Sequence, residues 1–471
     1  MEVHYFSERC PTGVPGFDEL TQGGFIRGSL VLLAGAPGTG KSAFAARFLY
    51  EGAVRWNEPG VYVSFAETKN KFYSFMSNFN MDFEALEKKG LFKFLQLPTT
   101  ISREAISSFM EVLFNTIVSM NAKRLVIDSI TPITQVLGPI ETRATLHNAL
   151  YNLANLYNVT IIMIQDIPIG SNRIGYGVEE FIADAVIVLN LDYKKPGAYR
   201  RYMNILKFRG TWISDIAIEY SIVSGIGFVL HPPVTFKNIF IDRENRIKTR
   251  IEGLDSLIGG GLIKGSSTLI VGESGSGKTL LTLTMAAENV LHGEDVLYLS
   301  FDEPVSQLKE TLKLLGYNVS ELEEKGLKMI CMDPYDVSPG KLRWLLSNLI
   351  LRDSKMIGLV IVDGLSAIRR IFDEKEFIRT IEEIIMGLKN EGIPVVLNLS
   401  VKNYDSESIL ETLVDNVLVL KILPRGTQVE RRILLLKSRM NIVKSKWYKL
   451  ELDKLGRPRI RDLAGTPSSS S

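Results

Sequence analysis

An eight-residue glycine-rich stretch occurs twice in this chain, and the repeat around it runs through nearly the whole sequence. GAPGTGKS, from Gly35 to Ser42, returns as GESGSGKT, from Gly272 to Thr279, displaced by 237 positions. Upstream, Thr12, Gly16, Asp18, Gly23 and Gly24 return at the same displacement as Thr249, Gly253, Asp255, Gly260 and Gly261. A unit written twice buries its apolar faces within each copy, so the 471 residues divide into two large domains rather than one core. His231-Pro232-Pro233 closes the first copy, because consecutive prolines remove backbone donors and restrict the chain. The expected domains are residues 1–234 and 235–460, with a flexible tail at 461–471 that ends in AGTPSSSS.

Short apolar runs recur between longer helical patterns: Leu30 to Ala34, Val61 to Phe65, Arg124 to Ile127, Val159 to Ile164 and Ala185 to Leu189. Alternation of that kind is the mark of a parallel sheet covered on both faces. Ile101 to Met120 carries apolar residues at helical spacing, so each copy reads as a doubly wound α/β layer structure. With 45% hydrophobic and 23% charged residues the chain falls in the globular class. Lys+Arg 55 against Asp+Glu 53 gives a formal charge of +2, which offers no global attraction to nucleic acid or acidic membrane. Two distant cysteines, Cys10 and Cys331, make no disulfide framework. The absence of a signal-like N-terminus and of any apolar run of about 18 residues places the chain in the cytoplasm.

The repeated stretch matches G-x-x-x-x-G-K-[ST], which arises by chance in such a chain on the order of once in fifty. Each copy follows an apolar strand, Leu30 to Ala34 or Thr268 to Val271, and opens an amphipathic helix. Gly38 and Gly40, like Gly275 and Gly277, let the backbone curl so that its N–H groups and the helix N-terminus converge on phosphate oxygens. The expected cradles are Gly35, Pro37, Gly38, Thr39, Gly40, Lys41 and Ser42, and Gly272, Ser274, Gly275, Ser276, Gly277, Lys278 and Thr279. Lys41 and Lys278 are placed against the β- and γ-phosphates of ATP, and the Ser42 and Thr279 hydroxyls on Mg²⁺. The partner acid for that metal ends an apolar strand: Asp128 in RLVIDS and Asp363 in LVIVDG. Glu67 in SFAET and Glu303 in SFDEP are the candidates to orient or deprotonate an attacking water; the plainer role is a carboxylate at a helix N-terminus.

On the opening T-G-x-x-G-x-D with its paired glycines, the two loops, these acids, GVEEFIADAVIVL (177–189) and ILKFRGT (205–211), the chain resembles KaiC, the bacterial clock ATPase, and its archaeal KaiC-like relatives. The resemblance covers nearly all of both copies. It implies two tandem RecA-like P-loop NTPase domains, each a mainly parallel twisted sheet flanked by helices. It also implies nucleotide bound between the subunits of a homohexameric ring, with Lys207 and Arg209 acting on a neighbour's nucleotide and Lys437 and Arg439 as the second copy's counterparts. In the family the second domain phosphorylates itself on a Ser-Thr pair; the matching positions are Glu411-Thr412, which also match Glu180-Phe181 of the first copy as structural residues. The second copy departs further: Gly364 stands for Ser129, Leu399 for Gln165, and LLLKSRM lacks the Gly210 and Thr211 of the first.

Two other readings stand beside the ring ATPase. RecA and RadA share this core and bind DNA, and the segment Ile169 to Tyr176, with Arg173 and Tyr176, is where a strand could be contacted. Alternatively ATP shapes a scaffold for a protein partner and turnover is slow.

Overall fold

Leu30–Gly35 (β1), buried at all six positions, is the strand about which the first unit is arranged. The computed structural model describes residues 8–97, 103–170, 174, 179–192, 200–213, 216–233, 242–351, 357–402, 409–425, 428–439, 441 and 446–463. The chain forms two compact units, Met1–Pro232 and Pro233–Ser471. The expected boundary residue Val234 and most of the 461–471 tail lie outside the described residues, as do Arg173 and Tyr176.

The first unit continues with Gly60–Ser64 (β2), Phe92–Gln96 (β3), Arg124–Asp128 (β4), Thr160–Asp166 (β5), Ala185–Asp192 (β6), Arg200–Phe208 (β7), Ile218–Val223 (β8) and Gly227–His231 (β9). They form one nine-stranded sheet in the order β9-β8-β7-β6-β1-β5-β4-β2-β3. From β6 to β3 the pairing is parallel; β7, β8 and β9 are added antiparallel. The apolar runs read from the sequence lie within β1, β2, β4, β5 and β6 give or take one residue, while the three antiparallel strands make the sheet mixed rather than wholly parallel.

In the second unit the strands of the large sheet are Ser267–Gly272 (β10), Val296–Ser300 (β11), Leu327–Cys331 (β12), Leu359–Asp363 (β13), Val395–Ser400 (β14), Asn416–Arg425 (β15), Gln428–Ser438 (β16), Trp447–Leu452 (β17) and Pro458–Asp462 (β18). Their order, β18-β17-β16-β15-β10-β14-β13-β11-β12, is that of the first unit shifted by nine.

Alternate residues of β1 enter opposite cores, as the period-2 geometry of a strand requires. Val31 and Leu33 pack with Phe44 and Phe48 of the helix Lys41–Trp56, while Leu30, Leu32 and Ala34 pack with Leu113 of the helix Arg103–Met120 and Leu150 of the helix Thr131–Tyr157. Each Val, Leu and Phe among them, fully buried, contributes about 1.5–3 kcal/mol of transfer free energy. Of the helix expected over 101–120, residues 101 and 102 lie outside the described set.

The opening motif is structural. Asp18 accepts the Thr12 hydroxyl and backbone N–H on one oxygen, at 2.7 and 2.8 Å, and the Gly13 N–H on the other, at 2.8 Å. Thr249 and Asp255 repeat the arrangement. Gly16 has a φ of +80°, and a Cβ on it would lie 2.2 Å from the Leu230 carbonyl oxygen; only glycine fits there. Cys10 is buried and Cys331 exposed, and both are free thiols. Among the described residues no helix is long and apolar enough to cross a membrane.

Candidate functional site

Parallel strands bring their C-terminal ends to one edge of a sheet, and loops that leave this edge can converge around a ligand. β1, β2, β4 and β5 end there in the first unit, and each delivers a chemically active residue.

β1 runs into the glycine-rich loop. Gly38 and Gly40 have φ of +80° and +90°, and Lys41–Trp56 opens on Gly40 with no side-chain cap, so its first N–H groups point into the loop. The Gly35 site tolerates no side chain, since an added Cβ would be 2.7 Å from Leu189 O. Tyr220 Oη donates to Thr39 O at 2.6 Å and fixes the loop from behind. Lys41, 7% exposed, donates to Gly35 O at 2.8 Å and Ala36 O at 3.1 Å, and its ammonium meets Asp166 Oδ1 at 3.1 Å.

Asp128 ends β4 beside the first turn of the loop helix. Its Oδ2 accepts Ser42 Oγ at 2.7 Å and also the Tyr62 hydroxyl. Burial holds its carboxyl above the ordinary range, against the downward pull of those two hydrogen bonds. Glu67 follows β2 on a turn in which its N–H donates to Ser64 Oγ at 2.9 Å. It is half-buried, and desolvation, reinforced by the Asp128 charge, pushes its carboxyl up.

In the second unit Lys278, 6% exposed, donates to Gly272 O at 2.9 Å and Glu273 O at 2.8 Å, with Ser276 Oγ at 3.5 Å. Burial lowers its ammonium to about 8. Asp363 Oδ2 accepts Tyr298 Oη at 2.6 Å, and its Oδ1 accepts the Gly364 N–H at 2.9 Å; the Thr279 hydroxyl is not among the groups bonded to it. Tyr298 Oη lies 3.1 Å from Thr282 Oγ1, which in turn accepts Asn398 Nδ2 at 3.0 Å, a buried polar chain where the first unit has Ala45 and Ile164. Glu303 sits as Glu67 does, its N–H 3.0 Å from Ser300 Oγ, and burial together with Asp363 and Asp302 pushes its carboxyl up.

Lys207 and Arg209 lie elsewhere. Lys207 is opposite Val186 in the β6–β7 ladder, and Val186 is beside Leu32; Gly35 is beside Leu189, three residues further along β6. Three strand residues, about 10 Å, therefore separate Lys207 from the level at which the loop begins. Its ammonium donates to Ala183 O at 2.6 Å and Glu180 O at 3.2 Å, and Arg209 Nη1 meets Asp184 Oδ1 at 2.9 Å. Lys437 bonds the carbonyls of Glu411 and Val414, and Arg439 that of Thr412. Glu411-Thr412 thus occupies the place of Glu180-Phe181. Thr412 is exposed and donates its hydroxyl to Ile409 O at 2.6 Å.

The residues fit a nucleoside triphosphate with a divalent cation. Positive-φ glycines open the loop backbone, a buried lysine crosses it, and a hydroxyl and a carboxylate meet beside it at 2.7 Å in the first unit. Among the described residues no cluster of three or more His, Cys, Asp or Glu could hold a metal by itself. Sequence reasoning missed Asp166, Tyr62 and Tyr298. The tyrosines read as core strand residues, and Asp166 lies two residues past the apolar run at the strand end; only the register of β5 against β1 sets it opposite Gly35.

A model of the KaiC ATPase family matches residues 10–234 and 247–457. The circadian clock oscillator protein KaiC of Parathermosynechococcus lividus is 29% identical over 449 residues, covering 91% of this chain and 81% of that protein. The circadian clock proteins KaiC3 and KaiC2 of Synechocystis are 28% and 30% identical, covering 98% and 92% of this chain and 94% and 78% of their own lengths.

Proposed function

The chain belongs to the KaiC ATPase family, and from that premise we propose that it binds and hydrolyses ATP with Mg²⁺ at sites shared between the subunits of a homohexameric ring in the cytoplasm. The observation that carries this reading is a division in space. Each unit gathers lysine, hydroxyl, strand-end aspartate and half-buried glutamate at one end of its parallel strands, while the basic pair of β7 or β16 sits near the other. About 10 Å along the strands from its own loop, the basic pair supports a role on another copy's nucleotide. Leu206 and Trp212, 60% and 84% exposed beside Lys207 and Arg209, give that edge apolar surface to bury against a neighbour.

In this reading the loop amides and Lys41 hold the triphosphate, and Ser42 and Asp128 hold the cation. Bound Mg²⁺ supplies charge neutralisation at the phosphate oxygens. Glu67 orients the attacking water and accepts its proton, and a neighbour's Lys207 and Arg209 offset charge that builds on the γ-phosphate. Gly272 to Thr279, Asp363, Glu303, Lys437 and Arg439 have the same parts in the second unit, whose exposed Thr412 hydroxyl is the candidate acceptor for self-phosphorylation. A role in recruiting protein partners rides on the same ring.

ATPase rate and molar mass by light scattering, with and without Mg-ATP, test the proposal on wild type, Lys41→Ala and Lys278→Ala, with γ-labelled ATP and peptide mapping for Thr412. A nucleotide-dependent hexamer that loses turnover with each lysine is expected. A monomer without turnover would sink the ring, and no label at residues 410–413 would remove the self-kinase step.

A further inference from the structure

The two loops are near copies, yet their lysines face different neighbours. Register sets Asp166 opposite Gly35 in the β1–β5 pair, and Ser400 opposite Gly272 in the β10–β14 pair. Lys41 therefore has three strong partners for its three protons: Gly35 O, Ala36 O and the Asp166 carboxylate. Lys278 has the two equivalent carbonyls and, for its third proton, only a hydroxyl at 3.5 Å.

Asp166 is anchored from behind. Its Oδ2 accepts Ser129 Oγ at 2.8 Å and Thr131 Oγ1 at 3.3 Å, and its backbone N–H donates to Thr131 Oγ1 at 3.1 Å. Gln165 Nε2 steadies that threonine at 3.2 Å. These bonds hold the carboxylate beside the ammonium, 3.1 Å away, where it competes with a phosphate for the lysine and repels the incoming anion. Ser400 can do neither: it carries no charge, and its N–H is taken by Ser366 Oγ at 2.8 Å.

We propose that Asp166 is a built-in competitor for the phosphate-binding lysine of the first unit, which makes that site the weaker-binding, faster-exchanging one, while Ser400 leaves the second site to retain its nucleotide. This rests on the nucleotide-binding reading of both loops and adds an inequality between them. Asp166 is a positioning residue in this scheme, acting through Lys41.

The test is equilibrium and stopped-flow binding of a methylanthraniloyl-labelled ATP with Mg²⁺ to the full chain, the first site read in a Lys278→Ala background and the second in Lys41→Ala. Asp166→Ser is expected to lower the first-site Kd about five- to tenfold, mainly through slower release, with Asp166→Asn, which keeps the shape, moving the same way. Ser400→Asp is expected to weaken the second site by a similar factor. Opposite changes at the two loops are something a purely structural role for Asp166 does not produce. First-site affinity unchanged or weakened in both Asp166 variants would overturn the inference. If the wild type fails to bind, or the Lys41→Ala, Lys278→Ala double variant binds as well as wild type, the nucleotide reading itself falls and takes this proposal with it.

Discussion

Glu67 is the residue whose environment speaks most directly to rate. A base accepts a proton only when ionised, and burial plus the nearby Asp128 charge lifts its pKa, so the protonated fraction persists to higher pH than for a solvated glutamate. Turnover at the first site is expected to fall as pH drops through that raised value, placing the acid limb of the kcat profile above the ordinary glutamate range. Glu67→Gln should flatten the limb and lower kcat on the order of 10²- to 10⁴-fold with ATP binding retained, as read by initial rates across pH. The loop lysines, hydroxyls and strand-end aspartates were legible in the sequence, because one contiguous motif and one apolar run announce them. Asp166 was not: its importance comes from which strand β5 lies against, and no local pattern encodes that. Tyr62 and Tyr298 were hidden for a related reason, as a wholly buried apolar strand gives no sign of which ring has its hydroxyl on a strand-end carboxylate.

The turn that opens each unit shows how glycines divide by context. Gly16 and Gly90 both have positive φ, at +80° and +72°, but a Cβ at Gly16 meets the Leu230 carbonyl at 2.2 Å whereas at Gly90 nothing lies within 4 Å. Gly90→Ala is expected to cost about 1 kcal/mol, the backbone penalty alone, and Gly16→Ala at least about 2 kcal/mol more, since backbone must move. Thermal and urea unfolding of the two variants gives the comparison. At this scale the core strands and the helices that follow the loops were readable from periodicity. The antiparallel extension was not, because β7 has an irregular burial pattern that gives no period-2 signal and pairs through a bulge between Val186 and Ile187. The register of β7 on β6 nevertheless sets Lys207 three strand residues below the level of the loop.

Across the whole molecule the duplication was plain, and equal strand orders follow from it, whereas the chemical inequality of the two sites comes from single residues at matched positions: Asp166 and Ser400, Ser129 and Gly364, Ala45 and Thr282. The shared sites proposed above make a subunit-mixing prediction. In a Lys278→Ala background, Lys41→Ala chains and Arg209→Ala chains should each be inactive. Mixed one to one they should recover activity, because about one junction in four pairs an intact loop with an intact arginine. Titrating the ratio in an ATPase assay checks this, and failure to recover at any ratio would place the arginine on its own chain's nucleotide. The same ends that border the sheet also govern how the protein is made. Pro15 O accepts the Leu230 N–H and Glu252 O accepts the Ile460 N–H, so in each unit the opening turn is fastened to its last strand. A chain emerging from the ribosome holds its first glycine-rich loop long before it holds β9, so the opening turn of the first unit is fastened only after Leu230 has been synthesised, which ties the completion of each unit to the arrival of its final strand.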